Sequence, residues 1–294
     1  MRAARLHELG GLPRVDEIPA PDGQVLAVTS STLNPIDIAI GSGRFYGGSP
    51  EPPYVIGSEA VAVASDERRY WYYGRGAIAE HVAVDDETQL VELPDAVSDG
   101  LALACGIAGL TGWLAVSWRT AVTPDDTVLV LGASGCLGRA ALQGARVLGA
   151  RRVIGAARRV DAVPDVADAA IPIDGELPPA DVVIDPVWGD AAERALAAAP
   201  SGVRFVQLGQ SGGAVAELQS AWVRGKSANI LGQTFGGVPA EVRARGYREL
   251  CEHARDGRIT FELETYPLGR VVEAWQRQAS GSPRAKIVVA VAAG

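Results

Sequence analysis

The chain has 294 residues, 48% hydrophobic and 21% charged, the balance of a folded globular chain long enough for two domains. Its net charge is −8, from 27 Lys and Arg against 35 Asp and Glu; without a basic cluster, a nucleic-acid partner is not expected. Three scattered cysteines exclude a disulfide framework, and three dispersed histidines speak against a metal centre. No apolar run is read as reaching the about 18 residues that span a bilayer. The first residues also lack the apolar stretch of a signal peptide. A cytoplasmic protein without a membrane partner is expected.

Residues 1–100 read as short strands and turns. Residues 24–30 alternate as a strand does, and Gly- and Pro-containing segments at 19–23, 41–53 and 74–76 punctuate the region. Residues 100–121 are rich in Ala and Leu and long enough for a helix. From Thr127 onward, apolar strand-like runs alternate with helical stretches. The runs are 127–131, 152–157, 169–173, 181–185, 203–208 and 228–231, and the helices include 139–148 and 191–198. This pattern predicts an α/β fold, with a doubly wound parallel sheet covered on both faces. A helix over 239–255, a strand over 259–264, a helix over 268–280 and a last strand over 286–292 follow. Six strands complete the parallel sheet, so the last strand is expected to return to the N-terminal β-region and make that domain discontinuous.

The strongest local signal is Leu129-Val-Leu-Gly-Ala-Ser-Gly-Cys-Leu-Gly138, a strand running through a turn into a helix. Ala133 takes the first position of the dinucleotide fingerprint, Gly135 the second and Gly138 the third. Ala133 is small enough for the tight turn, Gly135 admits a pyrophosphate to the backbone, and Gly138 lets helix and strand pack closely. The helix start then offers free N–H groups at Ser134, Gly135, Cys136 and Leu137. The alternative is an ordinary strand-to-helix turn that binds nothing. An NAD enzyme places Asp or Glu about 20 residues further on, to hold the ribose hydroxyl. Here Arg158 and Arg159 stand there, which favours a 2′-phosphate and therefore NADPH. Asp161 keeps NADH open, and the arginines also read as solvated strand-flanking charges.

With that turn placed, the chain resembles the zinc-independent quinone oxidoreductase branch of the medium-chain dehydrogenase/reductase superfamily nearly end to end. The resemblance rests on Asn34-Pro-Ile-Asp37, Gly57-Ser-Glu-Ala60, Ala77-Ile-Ala-Glu-His-Val82, Gly109-Leu-Thr-Gly-Trp113, Tyr266-Pro-Leu268 and Pro283-Arg-Ala-Lys-Ile-Val288. It implies a Rossmann domain over 102–235 and a discontinuous, mainly-β GroES-like catalytic domain over 1–101 and 236–294. Zinc-dependent relatives carry Cys where Asn34 stands and His where Ser58 stands. Ile107 occupies the third ligand position, with Cys105 nearby, so no metal is expected. The family's Gly-Asp-Arg-Val turn is missing, and residues 65–74 form a contracted, aromatic segment. As a strand it turns Tyr70 and Tyr72 one way and Trp71 and Tyr73 the other, to line a substrate pocket or simply to pack.

The resemblance also suggests site residues. Asn34 either gives its amide to a substrate oxygen or cofactor ribose, or starts a turn before Pro35. Asp37 orients Asn34, holds water or caps the next segment. Tyr46 supplies a phenol near the substrate or is an exposed loop residue. Thr111 bonds the nicotinamide carboxamide or its own helix backbone. Leu208 and Gly209 end a parallel strand where such sheets bind ligands. Phe235 covers the nicotinamide, and Lys286 resembles a late lysine near the cofactor or is a surface charge.

Without a Lewis acid, alcohol oxidation is disfavoured, and hydride addition to an electron-poor acceptor is left. The expected activity is NADPH-dependent reduction of a quinone or other conjugated carbonyl. The alternatives are an enoyl or enone reductase of lipid or secondary metabolism and a non-catalytic NADPH-binding protein. A homodimer is expected through the last Rossmann strand, near 228–231.

Overall fold

The computed structural model describes residues 1–281 and 283–292. Packing divides the chain into two compact units. The first comprises Met1–Ile107, Tyr247–Arg255 and Phe261–Gly294; the second comprises Ala108–Gly246 and Asp256–Thr260. The sequence reading placed its breaks at 101/102 and 235/236.

In the second unit, six strands form one parallel sheet in the order Ala169–Pro172, Arg152–Ala157, Thr127–Leu131, Val182–Asp185, Arg204–Gln207 and Asn229–Gly232. This is the Rossmann order, with the first strand of the series at the centre. Val128, Leu129, Val130 and Leu131 are all fully buried, which requires cover on both faces of the sheet and explains their unbroken apolar run. Helices Cys136–Val147 and Asp190–Ala198 lie close to where periodicity placed them, and a short helix, Ser220–Gly225, was not foreseen.

The first unit is mainly β. A small sheet joins Arg14–Glu17, Arg2–Leu6 and Tyr54–Val55. The larger sheet runs Leu263–Pro267, Lys286–Ala290, Val25–Leu33, Glu59–Val63, Arg69–Tyr73 and Leu90–Glu92, with His81–Ala83 also on Val25–Leu33. The last strand does return: Ile287 pairs with Leu33 and Val288 with Thr32, antiparallel. Ile287 and Val289 enter the core of this unit with Leu6, Leu33 and Ile78.

Three expectations need correction. The strand expected over 259–264 lies at Leu263–Pro267. The carboxamide of Gln143 takes both backbone groups of Thr260, donating to its carbonyl at 2.9 Å and accepting from its N–H at 2.9 Å. The Thr260 N–H is therefore taken and cannot donate to a ladder. The helix expected over 100–121 is interrupted: Asp99–Ala104 and Leu110–Leu114 are α-helical, while Cys105–Gly109 and Ala115–Arg119 are wider π-type turns. Gly106 leaves helical geometry altogether, with ψ −144°. A Cβ there would stand 1.9 Å from Glu59 Oε2, so only glycine lets that carboxylate reach the Ile107 N–H. Finally, Asp99–Arg119 is long and apolar enough to cross a membrane by length and composition, contrary to the reading that no such run exists. Most of it is buried inside the protein, as a core helix would be.

Candidate cofactor and acceptor sites

The turn after Thr127–Leu131 is built by its glycines. Gly132 adopts φ +65°, and the turn is closed by Gly135 N–H donating to Gly132 O at 3.1 Å and Ala133 N–H to Ala156 O at 3.1 Å. A Cβ on Gly138 would stand 2.3 Å from Gly132 O, so strand and helix touch there. A Cβ on Gly135 would meet nothing nearer than Gly132 O at 3.7 Å, so that face of the turn is open. Helix Cys136–Val147 starts here, and its first-turn N–H groups have no acceptor within the helix. Ser134, Gly135, Cys136 and Leu137 are all half-buried. This combination, an open second glycine and a closed third at a helix start, fits a dinucleotide pyrophosphate.

Arg158 and Arg159 leave the end of the neighbouring strand Arg152–Ala157, and both are exposed. Arg158 has no ion pair among the described residues. Leu208 and Gly209 follow Arg204–Gln207, and Phe235 follows Asn229–Gly232, half-buried with the Arg243 guanidinium 5.6 Å from its ring centre. Thr111 is buried in Leu110–Leu114. These residues share the second unit with the turn.

Two residues of this unit escaped the sequence reading. Gln233 is buried; its Nε2 donates to Thr111 O at 3.1 Å while its Oε1 has no partner among the described residues. Asp185, fully buried at the end of Val182–Asp185, accepts from the Val187 and Trp188 N–H groups at 2.8 Å each through Oδ1. Its Oδ2 has no partner among the described residues, and burial pushes the carboxyl up to about 6 against those two hydrogen bonds. The unfolded carboxyl, near 3.8, gives up its proton first, so stability present below pH 3.8 is lost as pH rises to about 6. Asp185→Asn keeps the Oδ1 acceptor and removes the charge. It should raise stability above pH 7 by about 2–3 kcal/mol, with no advantage below pH 4, in thermal melts across that range.

In the first unit, a buried polar cluster gathers Asn34, Asp37, Ser58, Glu59 and Lys286. Glu59 starts an otherwise apolar strand and is fully buried. Its Oε1 accepts from Asn34 Nδ2 at 2.9 Å and Lys286 Nζ at 3.0 Å; its Oε2 accepts from Trp71 Nε1 and the Ile107 N–H, both at 2.8 Å. Lys286 also donates to Asn34 Oδ1 at 2.6 Å. Lys286 is therefore not the surface charge that its position also allowed; it is a buried partner of Glu59 in the first unit. The Asn34 amide is engaged at both ends, its Nδ2 with Glu59 and its Oδ1 with Lys286, and only 2% exposed.

Asp37 caps the short helix Pro35–Gly41. Its Oδ2 accepts from the Asn34 N–H at 2.7 Å and its Oδ1 from the Ser58 hydroxyl at 2.5 Å. Burial pushes its carboxyl up to about 6; the two hydrogen bonds and Lys286 pull the other way, and Glu59 adds to the rise. Asp37 and Ser58 line a cavity of about 270 Å³ with Ile40, Tyr54, Ile56 and Arg75. The Tyr54 phenol oxygen has no hydrogen-bond partner among the described residues, and burial together with Asp37 pushes the phenol up. Tyr46, read as near the substrate or as an exposed loop residue, is 79% exposed on its loop, its ring tilted at 44° to that of Phe45 with centres 4.6 Å apart, and it does not line this cavity. Trp71 is fully buried and stacks on Tyr247 at 4.3 Å, so within the aromatic segment it packs and does not line a pocket. Ser58 and Glu59 are neighbours in Gly57-Ser-Glu-Ala60, but only the fold shows that Ser58 lines a cavity while Glu59 is fully buried. Among the described residues no group of three or more His, Cys, Asp or Glu side chains is placed to hold a metal ion.

A family model described as zinc-binding dehydrogenase matches residues 148–289. The quinone oxidoreductase of Thermus thermophilus, solved alone and with NADPH, superposes with a TM-score of 0.82 at 28% identity, covering 99% of this chain and 100% of that one. The chain is similar in sequence and fold to enzymes of the medium-chain dehydrogenase/reductase superfamily. The superfamily match does not include Asn34, Ser58 or Ile107. Human quinone oxidoreductase is 33% identical over 163 residues, 49% of each chain. A phenolphthiocerol/phthiocerol polyketide synthase polypeptide of Mycobacterium tuberculosis is 25% identical over 98% of this chain and 14% of its own length. The chain thus aligns with about half of the human enzyme and a small part of the synthase. These relatives within the superfamily are enzymes.

Proposed function

We propose that the chain is an NADPH-dependent, metal-independent oxidoreductase that reduces a quinone or another conjugated carbonyl compound. The observation that carries this is the turn at 132–138, open at Gly135 and closed at Gly138, followed at the next strand end by the exposed Arg158 instead of a carboxylate. When bound, the reduced nicotinamide supplies the hydride. The N–H groups of Ser134, Cys136 and Leu137, beside the open face of Gly135, hold the pyrophosphate, and Arg158 with Arg159 grips the 2′-phosphate. Leu208, Gly209 and Phe235 line the nicotinamide ring, with Thr111, tied to Gln233, beside its carboxamide. The cavity bearing Asp37 and Ser58 receives the acceptor, and its apolar wall of Ile40 and Ile56 excludes water from it.

The polyketide synthase relative, aligned along nearly the whole chain, supports a second reading in which the acceptor is an enone or enoyl compound. A panel of quinones against enones separates the two. The exposed edge strand Asn229–Gly232, with Ile230 37% exposed, supports a homodimer.

Arg158→Ala should raise the Kd for NADPH by about 10–100-fold and leave that for NADH nearly unchanged, as calorimetry would measure, since one charge-assisted contact contributes about 1.5–3 kcal/mol. Equal weakening of both cofactors, or no binding of either by the parent protein, overturns the assignment.

A further inference from the structure

We propose that Ser58 and Asp37 form a proton relay serving a conjugated carbonyl acceptor in the cavity of the first unit. This deepens the reductase reading and rests on it. The cavity wall carries few polar side chains, and two of them are already hydrogen-bonded to each other, Ser58 Oγ donating to Asp37 Oδ1 at 2.5 Å. Asp37 is 4% exposed, so a proton leaving it for the cavity passes most directly through the Ser58 hydroxyl. Its other oxygen is held by the Asn34 N–H, which fixes the carboxyl whatever happens at Oδ1. Asn34 is in turn clamped by Glu59 and Lys286. The charged and titratable groups around Asp37 are Glu59 and Lys286, both linked through Asn34, and Tyr54 and Arg75 on the cavity wall. Burial and Glu59 push the carboxyl up to about 6, which keeps a protonated fraction near neutrality.

Hydride arrives at the β-carbon of the acceptor, and the carbon–carbon π pair moves to give an enolate. The enolate α-carbon takes the Ser58 Oγ proton while Asp37 Oδ1–H passes its own proton to Ser58 Oγ. Asp37 is left as a carboxylate and regains a proton from water, so acceptor plus hydride plus one proton gives the saturated carbonyl compound. A quinone makes no such demand, since its reduced oxygens take protons from solvent.

The test compares Ser58→Ala, Ser58→Thr and the parent protein with saturating NADPH on 2-cyclohexen-1-one and on 1,4-benzoquinone. The enone-to-quinone ratio of kcat should fall at least about 100-fold in Ser58→Ala, the scale of a lost general acid, and recover in Ser58→Thr. Enone kcat in the parent should decline as pH rises through the Asp37 titration. A second readout needs no cofactor: carbon-13 NMR titration of the Asp37 carboxyl should show its pKa rising in Ser58→Ala, which has lost a hydrogen bond to the carboxylate. An unchanged ratio, or an unmoved Asp37 titration, overturns the relay while the reductase reading stands. A parent protein that reduces neither acceptor overturns both.

Discussion

Lys286→Met should destabilise the protein by about 3–5 kcal/mol, because it strips a buried carboxylate of its cationic partner. Lys286 and Glu59 are 4% and 0% exposed, and the methionine thioether cannot donate to Glu59 Oε1 or Asn34 Oδ1. Three neutral donors would remain around Glu59, from Asn34, Trp71 and Ile107. In a chain of this size the loss corresponds to a fall of roughly 10 °C in melting temperature. The double exchange Glu59→Gln with Lys286→Met should cost clearly less than the sum of the two single exchanges, since it removes both charges together. Additive losses in thermal or urea unfolding would show that the pair acts independently.

A pair of glycine exchanges should separate folding from cofactor binding. Gly138→Ala puts a methyl group 2.3 Å from Gly132 O and 2.8 Å from Ala133 Cα, and backbone on both sides leaves it nowhere to go. Overpacking of this kind costs about 1–3 kcal/mol and displaces the turn, so NADPH affinity should fall by more than about 100-fold along with stability. Gly135→Ala has ordinary φ of −84° and nothing closer than 3.7 Å. That variant should melt within about 0.5 kcal/mol of the parent yet bind NADPH about tenfold or more weaker, because the methyl fills the face a pyrophosphate approaches. Calorimetric binding measured beside thermal melts decides it; a Gly135→Ala protein with undiminished affinity would move the phosphate site elsewhere.

The parallel sheet was legible because its strands are buried on both faces and their apolar runs are continuous; Thr127–Leu131 and the glycine spacing after it needed no tertiary information. The discontinuity of the first unit was legible by exclusion, from one strand too many. What escaped depends on contacts distant in sequence. The true start of the strand at Leu263 follows from Gln143, more than a hundred residues earlier, claiming Thr260. The break in the helix at Gly106 follows from Glu59 pressing against it. Lys286 can be read as a surface charge until its buried partner Glu59, 227 positions away, is known. Tyr46 follows one of the two readings its glycine-rich loop allowed, that of an exposed tyrosine.

The clasp between Gln143 and Thr260 also bears on how the protein is born. The parallel-sheet half borrows Asp256–Thr260 from far downstream, and the β half needs Lys286–Ala290 wedged between Leu263–Pro267 and Val25–Leu33. Neither half owns all its parts until the ribosome has delivered nearly the whole described chain. The usual head start of an N-terminal domain during translation is therefore denied to both.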